Sequence, residues 1–369
     1  MAIVVDNLKS DSVSEEDKEL AAIVQKHATR VKVIGCGGAG NNSVTRMKEL
    51  GISGCEIIAI NTDAQDLLYT NADVKILIGR ELTHGLGAGS NPKIGEKAAL
   101  ESELDIKRKL EDVEMVFITC GLGGGTGTGA APVVAEIAKK TGALTIGVVT
   151  LPFTVEGQKR IENAQYGLNR LMKVTDTLIV IPNDKLLEIA PELPMHSAFK
   201  AADEILANAI KGITEMITKP GLVNLDFADL KAVMSNGGLS LIGIGESNID
   251  DRARDAVEKA INNPLMEIDI TNAKGALINV IGGPDMSLEQ YKTAVERVST
   301  KVAKDAKIIS GAHIINGLER TMRVLLIVTG VEKKELGGIQ LIHEENIKEK
   351  IENESEEEII DFMKEEVEE

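Results

Sequence analysis

The residues best able to do chemistry in this chain are glycines and carboxylates. Between Gly121 and Gly129 the sequence reads GLGGGTGTG, six glycines in nine residues. The apolar run Met115 to Cys120 (MVFITC) before it has the pattern of a buried strand. Ala130 to Lys140 (AAPVVAEIAKK) after it reads as a helix, with Pro132 in the first turn, where a missing N–H costs nothing. Strand, glycine loop and helix start together make an anion site. Glycines let successive N–H groups turn into one concavity, and the helix N-terminus adds partial positive charge. Thr126 and Thr128 add hydroxyl donors. A tight turn would be satisfied by one or two glycines, so six point to a phosphate cradle. A second set, Gly35, Gly37 and Gly40, fits the dinucleotide fingerprint G-x-G-x-x-G between a strand and a helix. Asp63, Asp226 and Asp229 are the acids suited to positioning water or a metal ion beside phosphate. No G-x-x-x-x-G-K-[ST] occurs, so the phosphate charge falls to backbone N–H groups, hydroxyls and Mg²⁺. No metal ligand is identified directly.

The elements that must hold these residues alternate. Predicted strands at 31–34, 56–60, 74–78, 115–120, 144–150 and 177–181 are separated by helices, one of them spanning 93–110. That order predicts an α/β fold with a doubly wound, mostly parallel sheet. The glycine loops and the polar clusters Asn61-Thr62-Asp63 and Pro182-Asn183-Asp184 all fall at carboxyl ends of strands, where such sheets bind ligands. Residues 195–219 form a long helical pattern with apolar positions spread widely around it, which suits a helix buried between two domains. From Leu239 a second, smaller α/β unit follows, with four strands and covering helices. The expected organisation is a leader and helix at 1–30, a nucleotide-binding domain at 31–194, a central helix at 195–219, a C-terminal domain at 220–330 and an acidic, disordered tail at 331–369.

Composition narrows the partners. The chain has 369 residues, 43% of them hydrophobic, and a net charge of −17. With five Phe, three Tyr and no Trp, it is poorly equipped to neutralise phosphates or stack bases, so nucleic acid is not expected as a partner. Three widely spaced cysteines (Cys36, Cys55, Cys120) make no disulfide framework, and five scattered histidines make no metal cluster. The longest apolar runs are strand length and no signal peptide is seen, so a cytoplasmic chain without direct membrane insertion is expected. In the tail, Ile359, Ile360, Phe362 and Met363 interrupt a run of acids. They are either a short docking motif for a membrane-tethering partner or incidental apolar residues.

GGAGNN (Gly37 to Asn42), NTDAQ (Asn61 to Gln65), GLGAGSNP (Gly85 to Pro92), GGGTGTG (Gly123 to Gly129), PFTVEG (Pro152 to Gly157) and NLDFAD (Asn224 to Asp229) occur together and in order. Over about residues 31–330 the chain resembles the tubulin/FtsZ family of polymerising GTPases, in an archaeal-like form. The resemblance implies a GTPase that binds GTP or GDP, assembles head to tail with itself, and forms the cytokinetic ring at the division site. It implies that Gly38, Ala39, Gly40, Asn41 and Asn42 contact nucleotide and that Gly125, Thr126 and Gly127 cradle its phosphates. Glu156 and Arg160 then hold the ribose region, Phe199 stacks on guanine, and Asp203 accepts from the base. A carboxylate suits guanine, whose N1 and N2 edge offers two donors. Asp226 and Asp229 polarise the attacking water, with Asn224 beside them. The chain departs from the family at His84, where Arg is common, and in a tail without the usual bacterial docking peptide.

Helix geometry adds one step. About sixteen residues separate Asp203 from Lys219, roughly 24 Å of helix at 1.5 Å per residue. Asp226 and Asp229 then lie beyond reach of their own subunit's phosphates and serve those of the next subunit, in a head-to-tail contact that does not close. Two other functions fit parts of the sequence. One is an NAD-dependent oxidoreductase resting on Gly35, Gly37 and Gly40; the other is a nucleotide-binding filament scaffold in which Asp226 and Asp229 only shape a turn and cap a helix.

Overall fold

The computed structural model describes residues 29–340, apart from 190, 191, 193, 220, 224, 267–269, 332–334 and 337–338. The expected N-terminal helix, Asn224 and the apolar residues of the acidic tail lie outside the described residues.

Six parallel strands carry the first half: β1 (Val31–Cys36), β2 (Cys55–Asn61), β3 (Val74–Leu77), β4 (Met115–Gly121), β5 (Leu144–Leu151) and β6 (Thr177–Pro182), in the order 3-2-1-4-5-6. Every residue of β5 and β6 is buried, the mark of strands covered on both faces. The crossovers are α1 (Gly37–Glu49), α2 (Ala64–Tyr69), α3 (Arg80–Thr83), α4 (Pro92–Glu101), α5 (Glu103–Lys109), α6 (Thr126–Lys140) and α7 (Gln158–Val174). Two expectations are corrected here. The single helix expected over 93–110 is two, because Ser102 leaves helical geometry and its hydroxyl accepts the Gly79 N–H at 3.3 Å. The helix after the glycine loop begins at Thr126 rather than Ala130, so Pro132 is its seventh residue. The bond that the proline cannot make is the one to the Thr128 carbonyl.

After α8 (Asp184–Ile189) comes α9 (Met195–Thr218), the long helix. It buries Ala202, Leu206, Ala209, Ile210, Ile213 and Met216 and packs on α1, β5 and β8. Each fully buried Leu or Ile contributes about 1.5–3 kcal/mol, so α9 is a principal apolar seam between the two halves. Then follow α10 (Phe227–Met234), β7 (Gly238–Ser247), α11 (Arg252–Ile261), β8 (Gly275–Gly282), α12 (Leu288–Ser299), β9 (Lys307–Ile314) and β10 (Met322–Thr329). The four expected strands are present in the order 7-10-8-9, with β8 and β9 parallel and the other pairs antiparallel. They do not form a separate sheet. β7 pairs with β6 at Thr177–Gly238, Leu178–Leu239 and Ile179–Ser240, so ten strands run continuously. The start of the expected disordered tail is also folded. β11 (Glu335–Leu336) pairs with β12 (Ile339–Gln340), because Leu336 and Ile339 bury themselves against the core.

Candidate nucleotide-binding site

Two helices start at the same place. α1 follows β1 directly, and α6 follows the glycine loop after β4. Neither has a side-chain cap or an acid in its first turn. Gly37 adopts φ 71°, and a Cβ there would sit 2.6 Å from the Gly127 nitrogen, so the two N-termini nearly touch. Their first-turn N–H groups have no intrahelical partners, and both dipoles favour an anion between them.

That point is the floor of a cleft of about 350 Å³. Gly37, Gly38, Ala39 and Asn42 line it from α1, and Gly125, Thr126 and Gly127 from the loop and α6. Glu156, Arg160, Phe199 and Asp203 close the other sides. The Thr126 hydroxyl shares a 2.6 Å hydrogen bond with Thr62. Glu156 accepts the Phe153 N–H at 2.9 Å and pairs with Arg160 at 3.0 Å. Phe153 meets Phe199 at right angles, ring centroids 5.1 Å apart, which fixes the Phe199 ring. Asp203 accepts from the Ser43 hydroxyl at 2.6 Å. Burial pushes its carboxyl up to about 6, against the opposing pull of the Ser43 bond and of Arg46.

Other expected site residues do not line the cleft. Gly40 is packed into the sheet, where a Cβ would lie 2.6 Å from the Thr119 oxygen. Asn41 is buried and its amide donates to Asp66 at 3.1 Å. Asp63 caps α2, accepting from the Gln65 and Asp66 nitrogens at 2.9 and 3.0 Å. Thr128 is fully buried and accepts the Gly123 N–H, so it is no phosphate donor. Asp226 and Asp229 are exposed at the start of α10, past the far end of α9; Asp226 caps that helix by accepting the Asp229 N–H at 2.7 Å. The loop 85–92 stands behind the cradle rather than in it: a Cβ on Gly125 would meet Ala88 and Asn91. Among the described residues no group of three or more His, Cys, Asp or Glu gathers to hold a metal ion, and no helix is long and apolar enough to cross a membrane.

Leu122, Thr150, Pro152 and Ala202 also line the cleft and were not anticipated; Asn183, from the polar cluster expected at a ligand-binding strand end, lines it too. Asn183 had a signal. It is a polar residue at the carboxyl end of β6, it is buried, and its Oδ1 has no protein partner.

Residues 30–191 match the GTPase domain of the Tubulin/FtsZ family, and residues 238–332 match the FtsZ family C-terminal domain. The chain belongs to the Tubulin/FtsZ family. Cell division protein FtsZ 1 of Methanocaldococcus jannaschii is 59% identical over 87% of this chain and 88% of its own length. Its counterpart in Thermococcus kodakarensis is 60% identical over 86% and 85%. A solved M. jannaschii FtsZ dimer superposes with TM-score 0.83 and 57% identity, covering 89% of this chain and 100% of the other. The Haloferax volcanii protein CetZ2, at 21% identity and TM-score 0.72, shares the fold. As a family member the chain is a GTPase, and the NAD-dependent alternative is set aside. Gly35 and Gly40 serve helix packing: a Cβ on Gly35 would lie 2.4 Å from the Gly40 oxygen.

Proposed function

We propose that this chain is a GTP-hydrolysing cell-division protein whose subunits stack head to tail into filaments at the division site. The observation that carries this is the distance between its two sets of chemical groups. Asp203 lines the cleft, Asp226 and Asp229 lie beyond Thr218, and the fifteen helical steps of α9 from Asp203 to Thr218 span about 22 Å. The acids therefore act on the γ-phosphate of the neighbouring subunit, where they polarise the attacking water. Both ends carry exposed apolar residues suited to such a contact: Leu86 and Val155 near the cleft, Leu222 and Val223 beside Asp226.

Within the cleft, the bare N–H groups of α1 and α6 and the Thr126 hydroxyl hold the phosphates. Glu156 and Arg160 flank the ribose, Phe199 stacks on the base, and Asp203 reads its N1 and N2 donors. Gly40 and Asn41 act by seating α1, and Asp63 by seating α2. Mg²⁺ would fit beside the phosphates with the Thr126 hydroxyl to hold it, and would neutralise charge on the phosphate oxygens. A tethering partner at the membrane is recognised by the acidic tail.

The test is GTP turnover per subunit across protein concentration, with light scattering recorded alongside. Turnover should switch on at a threshold together with scattering. Flat turnover without scattering would remove the shared active site. Asp226→Ala should keep GTP binding and lose turnover; unchanged turnover would favour the scaffold alternative, in which Asp226 only caps α10.

A further inference from the structure

We propose that Ser43 is a positioning residue for base recognition: its hydroxyl fixes the Asp203 carboxylate so that both oxygens meet the N1 and N2 donors of guanine. This role rests on Asp203 being the base reader proposed above.

Ser43 lies inside α1, 2% exposed, and is not a wall of the cleft. Its Oγ sits 2.6 Å from Asp203 Oδ1 and 3.0 Å from the Ala39 carbonyl, one turn back. One hydroxyl proton thus faces two acceptors. A serine within a helix commonly bonds back to the carbonyl four residues earlier, so the bond to Asp203 is the added one. When Asp203 is ionised, the proton goes to the carboxylate, the stronger acceptor. When Asp203 is protonated, its own O–H donates to Ser43 Oγ, and the serine proton turns to Ala39. The carboxyl group keeps one orientation in both states. A carboxylate has about four lone-pair sites, so after Ser43 takes one the rest remain for the base.

No other side chain does this. The bond from Ser43 is the single hydrogen bond to the Asp203 carboxylate among the described residues. Arg46, one turn further along α1, attracts Asp203 through space but is bonded to Glu49 on its own helix and to Glu204 on α9. Across the cleft Arg160 is paired with Glu156. Asp184, at the end of β6, is occupied by the Thr154 N–H. Ala39 itself lines the cleft, so Ser43 ties the phosphate-binding helix to the base-reading helix.

The test uses the full-length chain, with GDP and inosine diphosphate as probes, titrated between pH 5.5 and 8. Inosine keeps N1–H but lacks the N2 amine, so the GDP-to-IDP ratio reports how well the carboxylate is aligned. Wild type should lose GDP affinity as pH falls through the region of about 6. Ser43→Ala should move that midpoint up by about one pH unit, the tenfold change in proton affinity that follows loss of one bond to a charged group. It should also narrow the GDP preference, while Ser43→Thr, which keeps the hydroxyl, should restore both. The proposal is overturned if the Ser43→Ala profile and preference overlay wild type, or if affinity drops equally at every pH with the preference intact. Asp203→Ala separates the two levels. If it leaves GDP affinity unchanged, the base-reading assignment fails and Ser43 with it; if it abolishes the preference while Ser43→Ala does nothing, only Ser43 is excluded.

Discussion

Replacing Gly129 by alanine would put a methyl carbon 1.9 Å from the Pro92 carbonyl oxygen and 2.6 Å from the Glu96 nitrogen. Non-bonded heavy atoms settle at about 3.5 Å, so α4 and α6 would have to part. The obstacles are backbone atoms, and no change of rotamer relieves them. Overpacking a tight contact costs about 1–3 kcal/mol, and a backbone clash belongs at the upper end. Alanine's better helix propensity returns about 1 kcal/mol. The net loss is about 2 kcal/mol, read as a lower urea midpoint of the nucleotide-free chain. Gly124 is the control from the same signature. A Cβ there meets nothing within 4 Å, and the residue lines the cleft. Gly124→Ala should keep stability within about 0.5 kcal/mol and instead weaken GDP binding, because the methyl occupies ligand space. Equal urea midpoints for Gly129→Ala and wild type, or a comparable loss in Gly124→Ala, would refute this division of labour.

Asp203→Asn should weaken GDP binding about 100-fold, since hydrogen bonds to a charged group contribute about 1.5–3 kcal/mol each and the new amide opposes the N2 donor. Xanthosine diphosphate, which offers N1–H and a C2 carbonyl, should gain affinity for the variant. Because the Asp203 pKa is raised on folding, from 3.8 to about 6, its stabilising contribution is complete below pH 3.8 and lost as pH rises through 6; at pH 7.5 the nucleotide-free Asn variant should melt no lower than wild type. Burial pushes the Cys36 and Cys55 thiols up to about 12 and Cys120 well above its ordinary range. Iodoacetamide at pH 8 should therefore leave the buried Cys36 and Cys120 unmodified in the native chain, label half-buried Cys55 more slowly than in urea, and label all three in urea; labelling at native rates equal to denatured ones would contradict that burial.

The parallel half of the fold was legible because its strands are unbroken apolar runs, each ending in a glycine or polar cluster. Boundaries were less so. Nothing around Ser102 resembles a helix break until Gly79 arrives to donate to its hydroxyl. Pro132 suggested a helix start, but the start was set by glycines that let α6 pack closely on α4. The joining of β7 to β6 depends on three long-range pairs that no local pattern encodes. In the site, motif residues could be named, but their jobs could not be told apart. Gly38 and Gly40 look alike in sequence, yet one lines the cleft and the other is wedged under Thr119. Asp63 and Asp203 are both acids expected at the nucleotide. One caps a helix, and the other is held at the cleft wall by a serine 160 positions away.

Helix ends mark the site more sharply than any motif. α2, α4, α10 and α12 have side-chain caps, from Asp63, Asn91, Asp226 and Ser287. α3, α5, α8 and α11 carry an acid in the first turn. Among the described residues four helices have neither: α1, α6, α7 and α9. Those same four supply cleft residues, Gly37, Thr126, Arg160 and Asp203 among them. In a chain with 58 acidic residues, this absence selects the helices that meet at one ligand. The unpaired N–H groups and positive dipole ends of α1 and α6 need an anion, and a nucleotide's phosphates supply the charge that Asp, Glu or a capping side chain supplies elsewhere, while α7 and α9 give the cleft side chains. The site is thus built by withholding caps as much as by adding glycines. That could not be read from the sequence, because a missing cap has no meaning until the helix start is known.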